Sequence, residues 1–356
     1  MPSLFDPIKV GALTLPNRIW MAPLTRTRAV EGSRVPAALA IEYYAQRAGS
    51  GLIMTEATSV EAMGVGYPNT PGIWSDEQTE GWKPIVQAVK KRGGHIFLQL
   101  WHVGRISDPH FLDGKQPVSA SAVAPKGHVS LLRPQKEYGT PRALETSEIP
   151  AIVAAYKKGA QNAKAAGFDG VEIHGANGYL LDQFLQDSVN QRTDAYGGSR
   201  EKRARLMLEV ADACCEVWGA DRVAMHLAPR GDAHTMGDSD LKGTFTYVAK
   251  ELGKRKLAFI CAREHQADSS IGPLLKEAFG GVYVVNENFT KETGQAALDA
   301  GTADAVAYGK LYIANPDLET RFKQNAPLNA WDVKTFYSPG RGGYTDYPSL
   351  EDAAVG

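Results

Sequence analysis

Eight short apolar runs, each followed by a stretch of helical periodicity, recur from one end of this 356-residue chain to the other. The runs are 19–24 (IWMAPL), 51–57 (GLIMTEA), 95–102 (HIFLQLWH), 170–174 (GVEIH), 223–228 (VAMHLA), 257–262 (LAFICA), 281–286 (GVYVVN) and 305–309 (AVAYG). They are nearly continuous in apolar residues, as strands of a parallel sheet covered by helices must be. Helical spacing follows over 36–48, 77–92, 148–166, 200–217 and 243–255, and more briefly over 271–279, 291–300 and 316–324. Asp76 and Ser147 are predicted N-caps, with Glu80 and Pro150 in the first turns; Gly93, Gly167 and Gly219 are placed to end helices. Eight strand–helix units predict an α/β fold of the (β/α)8 TIM-barrel type, with residues 1–356 as one domain. A doubly wound open sheet is the alternative, but no GxGxxG run follows any strand. The Gly340-Arg341-Gly342-Gly343 run precedes no helix and reads as a loop.

Two further segments stand outside the repeat. Residues 4–18 (LFDPIKVGALTLPNR) predict a β-hairpin that caps the N-terminal end of the barrel. Residues 103–146, rich in Pro, Ser, His and Gly, separate the third strand from its helix. A loop of that length in a compact domain is a functional lid or has structure of its own. It follows a strand, so it belongs at the C-terminal face, and it is predicted to be a lid or excursion over the site.

Composition narrows the classes. Lys plus Arg (39) and Asp plus Glu (40) nearly cancel, and no basic stripe stands out, so no nucleic-acid partner is expected. No apolar run approaches the ~20 residues that span a bilayer, and the start MPSLFDPIKV lacks the layout of a signal peptide. Cys214, Cys215 and Cys261 form neither a metal-ligand spacing nor a disulfide framework. The expectation is a cytoplasmic protein, monomer or homodimer, acting on a small molecule away from membranes. The eight histidines are scattered without HxH or HxxxH pairs, so no metal is expected. Asn288-Phe289-Thr290 matches a glycosylation acceptor by chance in that compartment.

In a barrel, polar residues at strand ends point into one mouth. Those residues are Thr25, Glu56 and Ala57, Gln99, Trp101 and His102, His174 and Asn177, His226 and Arg230, Arg263, Asn286 to Asn288, and Gly309 with Lys310. Each has an ordinary structural use alone; together they suit a planar polar heterocycle with a phosphate tail. Gln99 matches an edge alternating C=O and N–H. Lys310 beside Gly309 could hold a phosphate, at the usual phosphate site of this fold. The run 170–179 (GVEIHGANGY) adds His174, Asn177 and Tyr179, an imidazole, an amide and a phenol that can bind an oxygen and deliver a proton.

The chain resembles the Old Yellow Enzyme family of FMN-dependent NAD(P)H oxidoreductases over nearly its whole length. The segments that carry this include MAPLTRTR at 21–28, GYPNTPGIWSDEQ at 66–78, FLQLWHVGR at 97–105, TPRALE at 140–145, HGANGYLLDQFL at 174–185, NQRTDAYGGSREKRARL at 190–206 and GYTDYP at 343–348. Within the family it looks closest to the bacterial xenobiotic reductases acting on glycerol trinitrate and pentaerythritol tetranitrate. The resemblance implies FMN across the mouth, with NADH or NADPH as hydride donor and ping-pong turnover. It implies that Pro23, Leu24, Thr25, Ala57, Gln99, His226, Asn288, Gly309 and Lys310 hold FMN. His174 and Asn177 would grip the oxygen of a carbonyl, nitro or nitrate group, and Tyr179 would protonate carbon. Tyr67, Trp101 and Tyr344 would line the substrate pocket, with Arg142 helping to order the lid.

Three positions depart from the family's pattern. His226 stands where arginine is common, so the charge facing the cofactor would follow pH. Lys310 replaces an arginine at the phosphate and loses the bidentate fork. Asn286-Glu287-Asn288 replaces a glycine-rich run, and the Glu287 side chain is expected to turn from the phosphate. Another barrel flavoenzyme, such as a hydroxy-acid oxidase, and a flavin-binding protein without turnover are the competing readings. The His174/Asn177/Tyr179 set and Tyr67 argue against both.

Overall fold

The computed structural model describes residues 1–353. A hairpin of β1 (Ile8–Val10) and β2 (Leu13–Leu15) precedes the barrel. The barrel strands are β3 (Ile19–Met21), β4 (Ile53–Met54) continued by β5 (Thr58–Ser59), and β6 (Ile96–Trp101). After the short pair β7 (Val118–Ser119) and β8 (Arg142–Ala143) come β9 (Gly170–His174), β10 (Val223–Leu227), β11 (Phe259–Arg263), β12 (Val282–Asn286) and β13 (Ala305–Tyr308). All barrel pairings are parallel, and the β13–β3 and β3–β4 pairings with Ile53 opposite Ile96 close the ring. Eight parallel strands with helices between them are the (β/α)8 barrel that the alternation predicts.

Eight helices fall close to their expected spans, and two short ones, after β9 and β13, have no counterpart in the expected set. They are α1 (Leu39–Gln46), α2 (Asp76–Lys91), α3 (Ile149–Ala166), α4 (Leu180–Leu185), α5 (Arg200–Trp218), α6 (Leu241–Lys254), α7 (Gly272–Phe279), α8 (Lys291–Asp299), α9 (Lys310–Ala314) and α10 (Leu318–Gln324). Two expected caps move. Ser75, not Asp76, caps α2, because its hydroxyl accepts from the Gln78 N–H while Gln78 bonds back, a reciprocal capping box. Ser147 lies inside a one-turn 3-10 element (Thr146–Glu148), and α3 begins after it with Pro150 in its first turn. Gly167 and Gly219 end α3 and α5 at positive φ, as expected.

The interior is filled from below by Trp20, Leu52, Met54, Phe97, Phe259 and Val284, joined by Ile8, Val10 and Leu15 of the hairpin. The hairpin docks on the residues before β10: the Ala12 N–H donates to the Asp221 carbonyl at 3.2 Å. A Cβ at Gly11 would lie 2.0 Å from that carbonyl oxygen, so only glycine lets the turn approach. A plugged floor leaves the opposite, C-terminal face as the place for chemistry.

Candidate active site

A cavity of about 550 Å³ opens at that face, within the range of small-molecule sites. Its floor is organised by a residue the sequence reading passed over. Glu172 is fully buried in the middle of β9, in register with Gln99 and Ala224. One carboxylate oxygen accepts from Gln99 Nε2 at 2.8 Å, and the other lies 3.2 Å from His226 Nδ1. A buried charge survives only with such partners. Gln99 keeps its carbonyl oxygen and His226 its Nε2 for a ligand, and both line the cavity. Cys261 also approaches: Glu172, His226 and Cys261 hold one donor atom each within 4.8 Å of one another. A soft divalent ion could use that geometry, but both carboxylate oxygens are already engaged.

The wall above is the run after β9. The Ala176 N–H donates to His174 Nδ1 at 3.4 Å, so the neutral ring carries its proton on Nε2. Burial, reinforced by His226 and Arg263, holds the His174 pKa well below the ordinary histidine value. His174 is therefore a neutral donor at pH 7. Asn177 takes a positive φ of 58° and is pinned twice. Its carbonyl accepts from His234 Nδ1 at 2.7 Å, and its Oδ1 accepts from Arg263 Nη1 at 3.2 Å. Gly178 follows at φ 78°; its N–H donates to Asp182 at 2.9 Å, and a Cβ there would lie 2.8 Å from the Ala233 carbonyl. This turn aims Tyr179 back into the mouth, its phenol 2.8 Å from that of Tyr67. Burial raises the pKa of both phenols, so both keep their protons at neutral pH. Trp101 packs edge-on to Tyr179 at 5.0 Å and stacks on Tyr67 at 5.4 Å, with its indole N–H unpartnered.

The opposite wall is built differently. Pro23, Leu24 and Thr25 follow β3, Ala57 lies between β4 and β5, and all four line the cavity. Beyond them Glu287 and Asn288 run at φ 107° and 57°, an unusual pair for non-glycine residues. The Glu287 carboxylate is taken by Arg263, which neutralises it. Gly309 leaves open space, a Cβ there meeting only Leu24 at 3.3 Å. Lys310 is exposed, and among the described residues no carboxylate pairs with it.

Tyr344, expected in the substrate pocket, and Arg142, expected to help order the lid, do not line this cavity. Tyr344 is fully buried, stacked on Tyr43 at 4.0 Å beneath the Arg28 guanidinium. Arg142 is exposed on β8 and forms a two-pronged pair with Glu148 at 2.7 and 2.9 Å, which ties the end of 103–146 to the start of α3. Tyr337, with Trp331 and Phe336, lines the mouth instead. Arg26 and Arg28 hold that C-terminal segment in place by donating to the carbonyls of Phe336, Thr335, Gly340, Gly342 and Gly343. A second cavity of about 410 Å³ adjoins the first, between Tyr67, Tyr179, Tyr337 and residues 128–131 of the long connection. Arg230 turns away to Glu264 and Ser269.

The donor set has two ends. Thr25, Gln99 and His226 offer alternating hydrogen-bonding groups to a flat polar ring, and Asn288, Gly309 and Lys310 offer turned backbone and a free cation to a phosphate. That arrangement fits a flavin mononucleotide, so the fold and site define a barrel flavoprotein oxidoreductase. The chain belongs to the NADH:flavin oxidoreductase / NADH oxidase family, which matches residues 3–329, and within it to the Old Yellow Enzymes. It is 46% identical to an old yellow enzyme homologue from Zymomonas mobilis, covering 98% of this chain and 100% of that one at a TM-score of 0.95. It is equally similar, 46% identical over 99% of both chains at a TM-score of 0.95, to morphinone reductase in complex with tetrahydroNAD. 12-Oxophytodienoate reductase 2 of Arabidopsis thaliana is 43% identical over 99% of this chain and 96% of its own length. FMN is the cofactor and a nicotinamide nucleotide the hydride source.

Proposed function

We propose that the enzyme reduces alkenes conjugated to a carbonyl or nitro group, and extends the same chemistry to nitrate esters and nitro compounds. The observation that carries this reading is the pair of neutral donors, His174 and Asn177, beside a protonated Tyr179 in one cavity wall. FMN, when bound, relays hydride from the nicotinamide to the substrate. The side chains supply the rest. His174 Nε2–H and the Asn177 amide would bind the substrate oxygen and stabilise the negative charge that develops there. Tyr179 would place its proton on the carbon alpha to that group, and Trp101 would limit the space beside it. Gln99 and Thr25 would orient the polar edge of the cofactor, and Lys310 with the backbone at Asn288 and Gly309 would hold its phosphate. Residues 103–146 would serve as the lid, with Tyr67 and Tyr337 lining the substrate side.

The three free cysteines support a protein of a reducing compartment, and the balanced charge one acting without nucleic acid. No helix among the described residues is long and apolar enough to cross a membrane. The test is anaerobic: protein reduced with NADH or NADPH is mixed with 2-cyclohexenone or glycerol trinitrate. Return of the oxidised flavin spectrum with both is the expected result. Failure with the enone removes the alkene assignment, and failure with the ester alone removes the nitrate branch.

A further inference from the structure

We propose that Arg263 is a positioning residue for this reaction, fixing the Asn177 amide so that its two hydrogens face the substrate oxygen. The inference rests on the reading that Asn177 touches that oxygen. Arg263 is the last residue of β11, opposite Asn286 of β12, while Asn177 follows β9 on the far side of β10. The guanidinium crosses that gap to reach Asn177 Oδ1 at 3.2 Å.

A primary amide can sit in two orientations that differ only in which end carries the hydrogens. For a catalytic donor, one of them is useless. The choice is made by what the oxygen faces. Guanidinium has donors and no acceptor, so it accepts only the amide oxygen as neighbour. A flipped Asn177 would press its hydrogens against those of Arg263 and lose the contact. With Oδ1 held by Arg263, Nδ2 points the other way, and no protein acceptor claims it among the described residues. Arg263 is itself held by the Glu287 carboxylate, and the Asn177 backbone by His234. Asn177 is thus held at its side-chain oxygen and at its backbone carbonyl, by a residue that ends β11 and one that follows β10. Glu287 also cancels the charge of Arg263, so the guanidinium can sit at the mouth without drawing anions to itself. Glutamate at φ 107°, in place of a residue that would adopt that conformation freely, gains a function from this pairing.

The probe is a para-substituted phenol titrated into FMN-loaded protein and read by the change in flavin absorbance. Its phenolate puts an anionic oxygen where the reaction develops one. Arg263→Met should retain FMN and weaken the phenol about tenfold, the upper end of one hydrogen bond's net worth. In an Asn177→Ala background the same substitution should do nothing more, because it acts only through that amide. Arg263→Gln is the second variant. Its side chain can both donate and accept, satisfies either orientation of Asn177, and should show the same loss although a polar contact remains. Wild-type affinity in Arg263→Gln, or full additivity with Asn177→Ala, would overturn the proposal while leaving the role of Asn177 intact. An Asn177→Ala protein that binds the phenol as wild type does would remove both.

Discussion

The two walls of the barrel mouth are built on opposite terms. On the side of β6, β9 and β10, joined by Arg263 from the end of β11, the polar side chains hold one another: Glu172 holds Gln99 and lies against His226, Ala176 sets the His174 tautomer, and Arg263 and His234 hold Asn177. On the side of β12 and β13 the chain offers turned backbone and one exposed lysine. The first wall resists rearrangement at its base, because moving Glu172, Gln99 or His226 leaves a buried donor or acceptor unpaired. The second can adjust around whatever phosphate it meets. Preorganised groups suit charge that appears only in the transition state, and an adaptable cationic end suits a ligand that stays bound throughout.

Substitutions can break this contrast. The largest effect is expected for His174→Ala, which should keep FMN and lower the rate of enone reduction by about 10²–10³ in single-turnover measurements, as loss of an oxyanion donor does. Tyr179→Phe should slow enone reduction by about 10², the lower range for a lost general acid, and slow denitration of glycerol trinitrate less, because nitrite leaves without protonation of carbon. Equal loss on both substrates would place Tyr179 among the packing groups rather than the proton donors. On the opposite wall, Lys310→Ala should weaken FMN binding about tenfold, as one exposed charge-assisted contact does, with a loss that shrinks at high salt. Lys310→Arg should restore or improve it.

The smallest effect is one of pH. The folded-state pKa of His174 is depressed below 6.5, so the fold favours the neutral ring. Its contribution to stability is complete above pH 6.5 and is lost as pH falls, because the unfolded chain then takes up the proton first. The rate of enone reduction should therefore show no break near pH 6.5 assignable to His174.

How much of this was legible varies with the range of the interactions. The barrel was readable because each strand buries both faces and so announces itself as a continuous apolar run. The cap of α2 was misplaced by one residue, since Ser75 and Asp76 can both cap and only the Ser75–Gln78 spacing separates them. His174, Asn177 and Tyr179 were readable because one turn carries all three. The supports of Asn177 were not, since His234 and Arg263 come from two other places in the chain. Glu172 left a trace, a lone carboxylate in a strand covered on both faces. Tyr344 was expected at the mouth because a sequence does not say that its ring stacks inward on Tyr43 while Tyr337 faces the cavity. That is decided by Arg26 and Arg28, about three hundred residues earlier in the chain.

The central claim is that one wall does chemistry and the other only holds the cofactor. Stopped-flow reoxidation by 2-cyclohexenone, with reduced Asn177→Ala and reduced, FMN-saturated Lys310→Ala compared side by side, tests it most directly. Asn177→Ala should be slower by about 10² and Lys310→Ala unchanged from the native rate. Equal rates in the two variants, or a slow Lys310→Ala, would contradict the division.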